Sequence, residues 1–357
     1  MRLTKKQLID IILGPEDPVR VGPEEPVSPV KSVKESVFLT NKEMKTTSLT
    51  ELDYSETDEQ IAKHIKNISF IDAEKDYQKL CNLPQTLKNS LVGNKLNWYY
   101  FNQLTLYTKV KNNNHNFYEF WRCYKAGNVL TLITQKKLDT LLRLIQTPEY
   151  TKSRHTECAR FYAFYKNYIG GYIGIFKSSL ARNFYINYSS KVIIDPYAGW
   201  GGRLIGASSL GLTYTGFDTN TGLKPAYDKM IDEMKMKQVH INFQDSSTVD
   251  YSKYTYDTVL TSPPYYVEWY ENFDKKKNAD DWFTNMMMVT FKNLWKNLKK
   301  GGVMGINCNT KMYDKYLLPE FGEYHESIDI KNSTLKRDMK KDEGKTNSKE
   351  LIYVWIK

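Results

Sequence analysis

From Lys191 onward, short apolar runs alternate with segments whose apolar residues recur every three or four positions. This alternation narrows the fold more than any other feature of the chain. Residues 191–195 (KVIID) read as a strand, followed by a glycine-rich turn and a helix over 203–211. Strands follow at 214–218, 239–245, 256–264 and 301–309, with helices over 223–237 and 282–298 between them. Segments 324–331 and 350–357 read as a closing antiparallel pair around a basic stretch. Strand and helix in strict alternation specify an α/β fold, a doubly wound sheet with helices on both faces.

The preceding region has another period. Residues 94–110, 116–125, 134–146 and 157–170 each carry apolar side chains at helical spacing, and residues 73–170 read as one helical subdomain. Its aromatic density reads as core first and binding surface second. Residues 1–72 differ again: one short helix over 4–13, then Pro15, Pro18, Pro23, Pro26 and Pro29 in close succession. Proline at that density suits neither helix interior nor central strand, so this part is expected to be a largely extended arm. The catalytic candidates therefore fall in residues 171–357.

Composition excludes several classes. With 41% hydrophobic and 26% charged residues the chain can bury a core. No apolar run approaches the ~18–20 residues of a membrane span. The charged start, the short apolar stretch broken by Asp10 and the missing cleavage site argue against secretion, so an intracellular protein is expected. Cys81, Cys123, Cys158 and Cys308 form no CxxC pair, which fits a reducing compartment and no zinc site of the usual spacing. The net charge is +10, and because residues 1–70 are slightly acidic the excess falls on the rest. A basic folded portion within a chain of 27 Tyr, 15 Phe and 7 Trp suits a polyanionic partner. The plain alternative is an AT-rich genome, which enriches Lys, Asn, Tyr and Ile.

Two constellations carry chemistry. The first is Asp195-Pro196-Tyr197-Ala198-Gly199-Trp200-Gly201-Gly202-Arg203, where a buried strand opens into a glycine turn and then a helix. Glycines let backbone approach a ligand, and the helix start offers unpaired N–H groups. Asp218 closes the second strand, where an acid can accept from both ribose hydroxyls of an adenosyl ligand, and Asp245 closes the third, within reach of an adenine amine. Each acid alone could be an ordinary turn residue; three at successive strand ends share one rim of the sheet.

The second constellation is Thr261-Ser262-Pro263-Pro264-Tyr265-Tyr266 at the end of the fourth strand, with Ser262-Pro263-Pro264-Tyr265 at its heart. Here the chain resembles the S-adenosylmethionine-dependent amino-methyltransferases of DNA, whose signature is [Asp/Asn/Ser]-Pro-Pro-[Tyr/Phe/Trp]. Their cofactor loop follows Asp-Pro-aromatic-x-Gly-x-Gly, matched by Asp195, Pro196, Tyr197, Gly199 and Gly201. Phe176 to Arg182 looks like the additional cofactor element before that loop, with Lys177 and Ser178 departing from the Phe-Arg-Pro of phage-type members. The resemblance covers about residues 172–357.

It implies a Rossmann-like class I methyltransferase sheet, S-adenosylmethionine as cofactor and DNA as substrate. Ser262 and the Pro263 carbonyl would accept from the target amine, Pro264 would stiffen the turn and Tyr265 would stack on the flipped base. Ser at the first signature position goes mostly with N4 of cytosine and Asp with N6 of adenine, so N4 is favoured, although a cofactor loop ahead of the catalytic turn is the less usual order for Ser-type enzymes. Nucleic-acid contacts are expected from Tyr266, Trp269, Lys275 and Lys276, and from Lys336, Arg337 and Lys340 in the basic stretch. No metal is expected. The composition suggests a virus or phage source. Two rivals stay open: a methyltransferase of RNA or tRNA bases, and an inactive methyltransferase fold serving as a nucleic-acid-binding subunit.

Overall fold

A computed structural model of the 357-residue chain describes residues 53–84, 91–108, 115–144, 147, 154–169, 174–264, 279–330 and 350–357. The expected helix over 4–13 and the proline-rich stretch lie outside the described residues, but the arm expected to be largely extended over 1–72 is helical over Asp58–Ile65 and from Phe70 onward, with Ile61 and Ala62 buried. The chain divides into two compact units, one of residues 1–67 and 106–172, the other of residues 68–105 and 173–357. In chain order the helices ahead of the sheet are α1 (Asp58–Ile65), α2 (Phe70–Cys81), α3 (Asn94–Tyr107), α4 (Phe117–Lys125), α5 (Gln135–Leu144), α6 (Glu157–Phe164) and α7 (Ser178–Asn187).

The first unit contains α1, α4, α5 and α6. Thr57 with Gln60 and Asn116 with Glu119 form reciprocal capping boxes that start α1 and α4, satisfying amides the first turn leaves open. Ile61, Phe117, Phe120, Phe161 and Phe164 make its core, so the aromatic density here is packing.

The second unit is built on seven strands: β1 (Val192–Asp195), β2 (Thr213–Phe217), β3 (Val239–Asn242), β4 (Thr258–Thr261), β5 (Val303–Asn309), β6 (Glu326–Asp329) and β7 (Glu350–Ile356). Their order is β3-β2-β1-β4-β5-β7-β6, with β1 to β5 parallel and β7 antiparallel to both its neighbours. This is the Rossmann-like methyltransferase sheet. Alternation along each strand feeds two cores. Ile193, Val303 and Ile352 face one side, with α7, α8 (Gly202–Ser208) and α9 (Lys224–Glu233). Ile194, Met304 and Leu351 face the other. There they meet α10, one helical run through Ala279–Trp282, Phe283–Met287 and Met288–Asn297, and α11, a run through Thr310–Met312, Tyr313–Leu317 and Leu318–Phe321. After β7, the Lys357 ammonium donates to the carbonyls of Trp295, Lys296 and Leu298 at 2.7–2.8 Å, closing the C-terminal end of α10.

Residues 68–105 belong with the sheet, although periodicity groups 73–105 with the helices that follow and leaves 68–72 in the arm. Tyr77, Leu80, Leu96 and Phe101 share a core with Leu204, Tyr214 and Tyr227. Helical spacing marks which face of α2 and α3 is apolar, not which partner covers it. β3 is also shorter than expected: it ends at Asn242, and Asp245 instead caps a single turn at Ser246–Thr248.

Candidate active site at the ends of strands β1 and β4

β1 and β4 pair directly, Ile193 with Thr258 and Ile194 with Val259. From β1 the chain moves outward to β2 and β3; it returns at β4 and moves the other way to β5. The crevice beyond their C-terminal ends is thus the topological switch point, where open α/β sheets bind ligands. Both constellations found in the sequence sit at this edge.

Asp195 ends β1 and is 0% exposed. One of its carboxylate oxygens accepts from Arg203 Nε and from the Tyr214 hydroxyl, both at 2.6 Å. The other accepts from the Thr261 hydroxyl at 2.8 Å and from the Tyr197 amide at 3.2 Å. Four donors surround this carboxylate, so its place is inside the protein, holding the loop. Thr261 is the last residue of β4, and its hydrogen bond ties the glycine loop to the Ser262-Pro263-Pro264 turn. Burial works against the Arg203 charge, but the adjoining Asp195 outweighs it and holds the guanidinium above its ordinary pKa. Burial raises the Tyr214 phenol, with Asp195 adding to the shift, so it stays a donor.

The loop after Asp195 is gripped carbonyl by carbonyl. Pro196 O accepts from the Ser246 hydroxyl, Tyr197 O and Ala198 O from Arg203, Gly199 O from the Tyr227 hydroxyl at 2.8 Å, and Trp200 O from the Asn97 amide. With its carbonyls engaged, the loop's conformation is set before any ligand arrives. Gly199 (φ +58°) and Gly201 (φ +77°) take the left-handed geometry the bend needs. A Cβ on Gly199 would stand in open space, nothing nearer than 3.8 Å, so glycine keeps that approach clear. At Gly202 the reason is closeness: a Cβ would lie 1.9 Å from the Phe176 carbonyl oxygen. Phe176 itself lies under the Arg203 guanidinium, 5.0 Å from ring centroid to carbon.

The other predicted cofactor residues also gather at this end of the sheet. Asp218 follows β2 and accepts from the amides of Gly199 and Asn220, each at 2.8 Å. Burial pushes its carboxyl above the ordinary value, while those two amides pull it back. Asp245 accepts from both the amide and the hydroxyl of Ser247 at 2.8 Å. The Tyr197 ring packs against Trp282 and Phe291, and burial raises its phenol. Pro263 is buried, and Ser262 and Pro264 are half-buried. Tyr265, Tyr266, Trp269, Lys275, Lys276, Lys336, Arg337 and Lys340 lie outside the described residues.

Sequence reasoning did not single out Asn97, Tyr227 or Ser246 as site residues, and it quoted Arg203 and Thr261 only as the last residue of the first constellation and the first of the second. Thr261, Arg203 and Ser246 each adjoin a predicted position and could have been suspected on that ground. Asn97 and Tyr227 carry no local signal, since their partners are 103 and 28 residues away.

Among the described residues no group of His, Cys, Asp or Glu could hold a metal, and no helix is long and apolar enough to cross a membrane. No family model and no curated protein matches the chain. Similar solved structures include an rRNA methylase from Streptococcus thermophilus, 10% identical over 51% of this chain and 97% of its own, at a TM-score of 0.36. TrmN from Thermus thermophilus is 12% identical over 50% of this chain and 48% of its own, at 0.35. The glycopeptide N-methyltransferase MtfA complexed with sinefungin is 20% identical over 38% and 55%, at 0.29. At such scores these likenesses carry no weight for activity or substrate. The strand order and the two corners at its switch point are what define the class of fold.

Proposed function

We propose that this protein is an S-adenosylmethionine-dependent methyltransferase acting on an exocyclic base amine of DNA, with N4 of cytosine favoured over N6 of adenine. The observation that carries this reading is the hydrogen bond from Thr261 to Asp195 at 2.8 Å, which holds the glycine loop and the Ser-Pro-Pro turn side by side at the switch point. The cradle suits such a cofactor: left-handed glycines, open space at Gly199 and an acid at the end of β2.

When bound, the cofactor supplies a methyl group on a sulfonium sulfur. The loop at Gly199 and Gly201 lets backbone come close to it. Each Asp218 oxygen already holds one amide and keeps a second lone pair for a ribose hydroxyl. Asp245 is proposed to take the adenine amine. On the other side, the target amine is a weak nucleophile because its lone pair is delocalised into the ring. The Ser262 hydroxyl and Pro263 carbonyl would accept from its N–H groups and turn the lone pair toward the methyl. The proline rings fix φ, so these acceptors need no rearrangement during transfer. Held side by side, the cradle and the turn would bring the amine to the methyl donor, and such positioning would supply much of the rate. After transfer the extra proton on nitrogen is acidic and passes by those acceptors to water, so no strong base is required.

Tyr265 is proposed to stack on a base lifted out of the duplex. Tyr266, Trp269, Lys275, Lys276, Lys336, Arg337 and Lys340 are proposed to contact the nucleic acid, which makes binding fall steeply with salt. Transfer of labelled methyl from S-adenosylmethionine onto duplex DNA and onto RNA, followed by base analysis, tests the reading. Label on a DNA base amine is expected. Label on RNA alone ends the DNA assignment, and no cofactor binding at millimolar concentration ends the enzyme reading.

A further inference from the structure

β5 runs past the end of its neighbour. The last register pair between β4 and β5 is Thr261 with Ile306, yet β5 continues to Asn309, paired on its other side with β7. The overhang, Asn307-Cys308-Asn309, stands where β4 gives way to the Ser262-Pro263-Pro264 turn. Of its side chains, Cys308 belongs to the second core, and Asn309 Oδ1 accepts from the Met312 amide at 2.9 Å, capping α11. Asn307 differs from both. It is 5% exposed, and its side-chain nitrogen is buried without a partner.

Strand parity puts this amide on the same side of the sheet as the turn's hydroxyl. Leu260 and Val303 share one core, so positions of the same parity further along, Ser262 and Asn307, fall on that side too. One further step of the β4–β5 register sets Ser262 against Asn307. The two side chains differ in chemistry. A hydroxyl oxygen has lone pairs with which to accept, whereas Nδ2 only donates. A buried donor left unmet costs free energy, and native interiors rarely keep one without a use.

We propose that Asn307 reads the ring nitrogen beside the target amine, an assignment that rests on the base-amine methyltransferase reading above. In cytosine N4 stands beside N3, and in adenine N6 stands beside N1. Each edge presents an N–H donor next to a ring acceptor. Ser262 accepts from the amine while Asn307 Nδ2 donates to the ring nitrogen, so two hydrogen bonds fix the base in its plane. Thymine and guanine reverse the pattern: a carbonyl stands beside a ring N–H, which meets Nδ2 donor to donor. The same pair of side chains thus seats the amine-bearing edge and rejects the reversed one. This brings β5, which carries neither constellation read from the sequence, into the substrate site.

Methyl transfer onto synthetic duplexes carrying either cytosine or 3-deazacytosine at the modified position tests the assignment. The second base keeps the amine and replaces the ring nitrogen with C–H; 1-deazaadenine serves in the same way should the label fall on adenine. Because the replacement also changes the amine's own reactivity, the quantity read is the ratio of kcat/KM on the two duplexes, compared between wild type and variant. Asn307→Leu is expected to lower kcat/KM on the natural base about fivefold to tenfold, the range for one hydrogen bond, and to shrink the ratio by the same factor. Its affinity for S-adenosylhomocysteine, read by calorimetry, should match the wild type. Asn307→Asp, which keeps the shape and removes the donor, should shrink the ratio at least as far, and it stands in should the leucine variant fail to fold. A variant that loses equally on both duplexes, or keeps the wild-type ratio, overturns the assignment and leaves the methyltransferase reading intact. A wild type that labels no DNA overturns the base-amine reading and this assignment with it.

Discussion

The two corners at the switch point are rigid in opposite ways. The corner after β1 is held from outside: its carbonyls accept from Ser246, Arg203, Tyr227 and Asn97, side chains drawn from four places in the chain. The corner after β4 is held from within, by two consecutive proline rings. The difference follows from what each corner offers. A cradle must present backbone along its length, and only glycine lets the chain bend that far, so rigidity has to be borrowed from neighbours. An acceptor turn needs only one hydroxyl and one carbonyl, and ring closure fixes both locally. Rigidity of the first kind is spread over the fold and fails when distant residues change; rigidity of the second kind fails only where it stands.

Substitutions can break this contrast. The largest effect is expected at Asp195. Asp195→Ala leaves the Arg203 charge buried without its partner, a loss of about 3–5 kcal/mol in stability by chemical denaturation. A near-neutral result would mean the loop is not held as described. Ser262→Ala should fold normally and bind S-adenosylhomocysteine as the wild type does, while turnover falls about a hundredfold. Equal losses in binding and turnover would contradict its assignment to the reacting amine.

Asp218→Ala should weaken cofactor binding about tenfold to a hundredfold, read by calorimetry. Because burial raises the Asp218 carboxyl, wild-type affinity should fall as pH drops toward the carboxylate range, and Asp218→Asn should be flat there. Stability moves the other way. Between the unfolded value of 3.8 and the raised folded value the native state binds more protons, so this group's contribution grows as pH falls. Tyr227→Phe removes one hydroxyl from the Gly199 carbonyl and should cost about 1 kcal/mol, or roughly fivefold in cofactor affinity, with turnover at saturation unchanged. No change in affinity would show that the borrowed rigidity is redundant at that carbonyl.

Much of the fold was legible because its signals are local. Each strand of the sheet shows as a short apolar run, and the two corners show as glycine and proline strings. What could not be read depends on pairing between distant parts. The insertion of β7 between β5 and β6 leaves no trace in periodicity, since all three runs look alike. The membership of α2 and α3 was misread for the same reason. At the site, the acids at strand ends were found by position. The four donors around Asp195 show that a motif acid can be occupied wholly by its own protein, which no motif reveals. Asn97 lies far outside the motifs and is linked to the loop only through folding.

The place of β7 has a consequence for how the chain is made. During vectorial synthesis on the ribosome, β5 and β6 emerge well before residues 350–356, yet among the described residues β6 pairs with β7 alone, and β5 lacks one of its two neighbours until β7 slides in. Translation must therefore run through Ile356 before that half of the sheet can close. Until then the nascent chain carries bare strand edges, open to chaperones or to other chains.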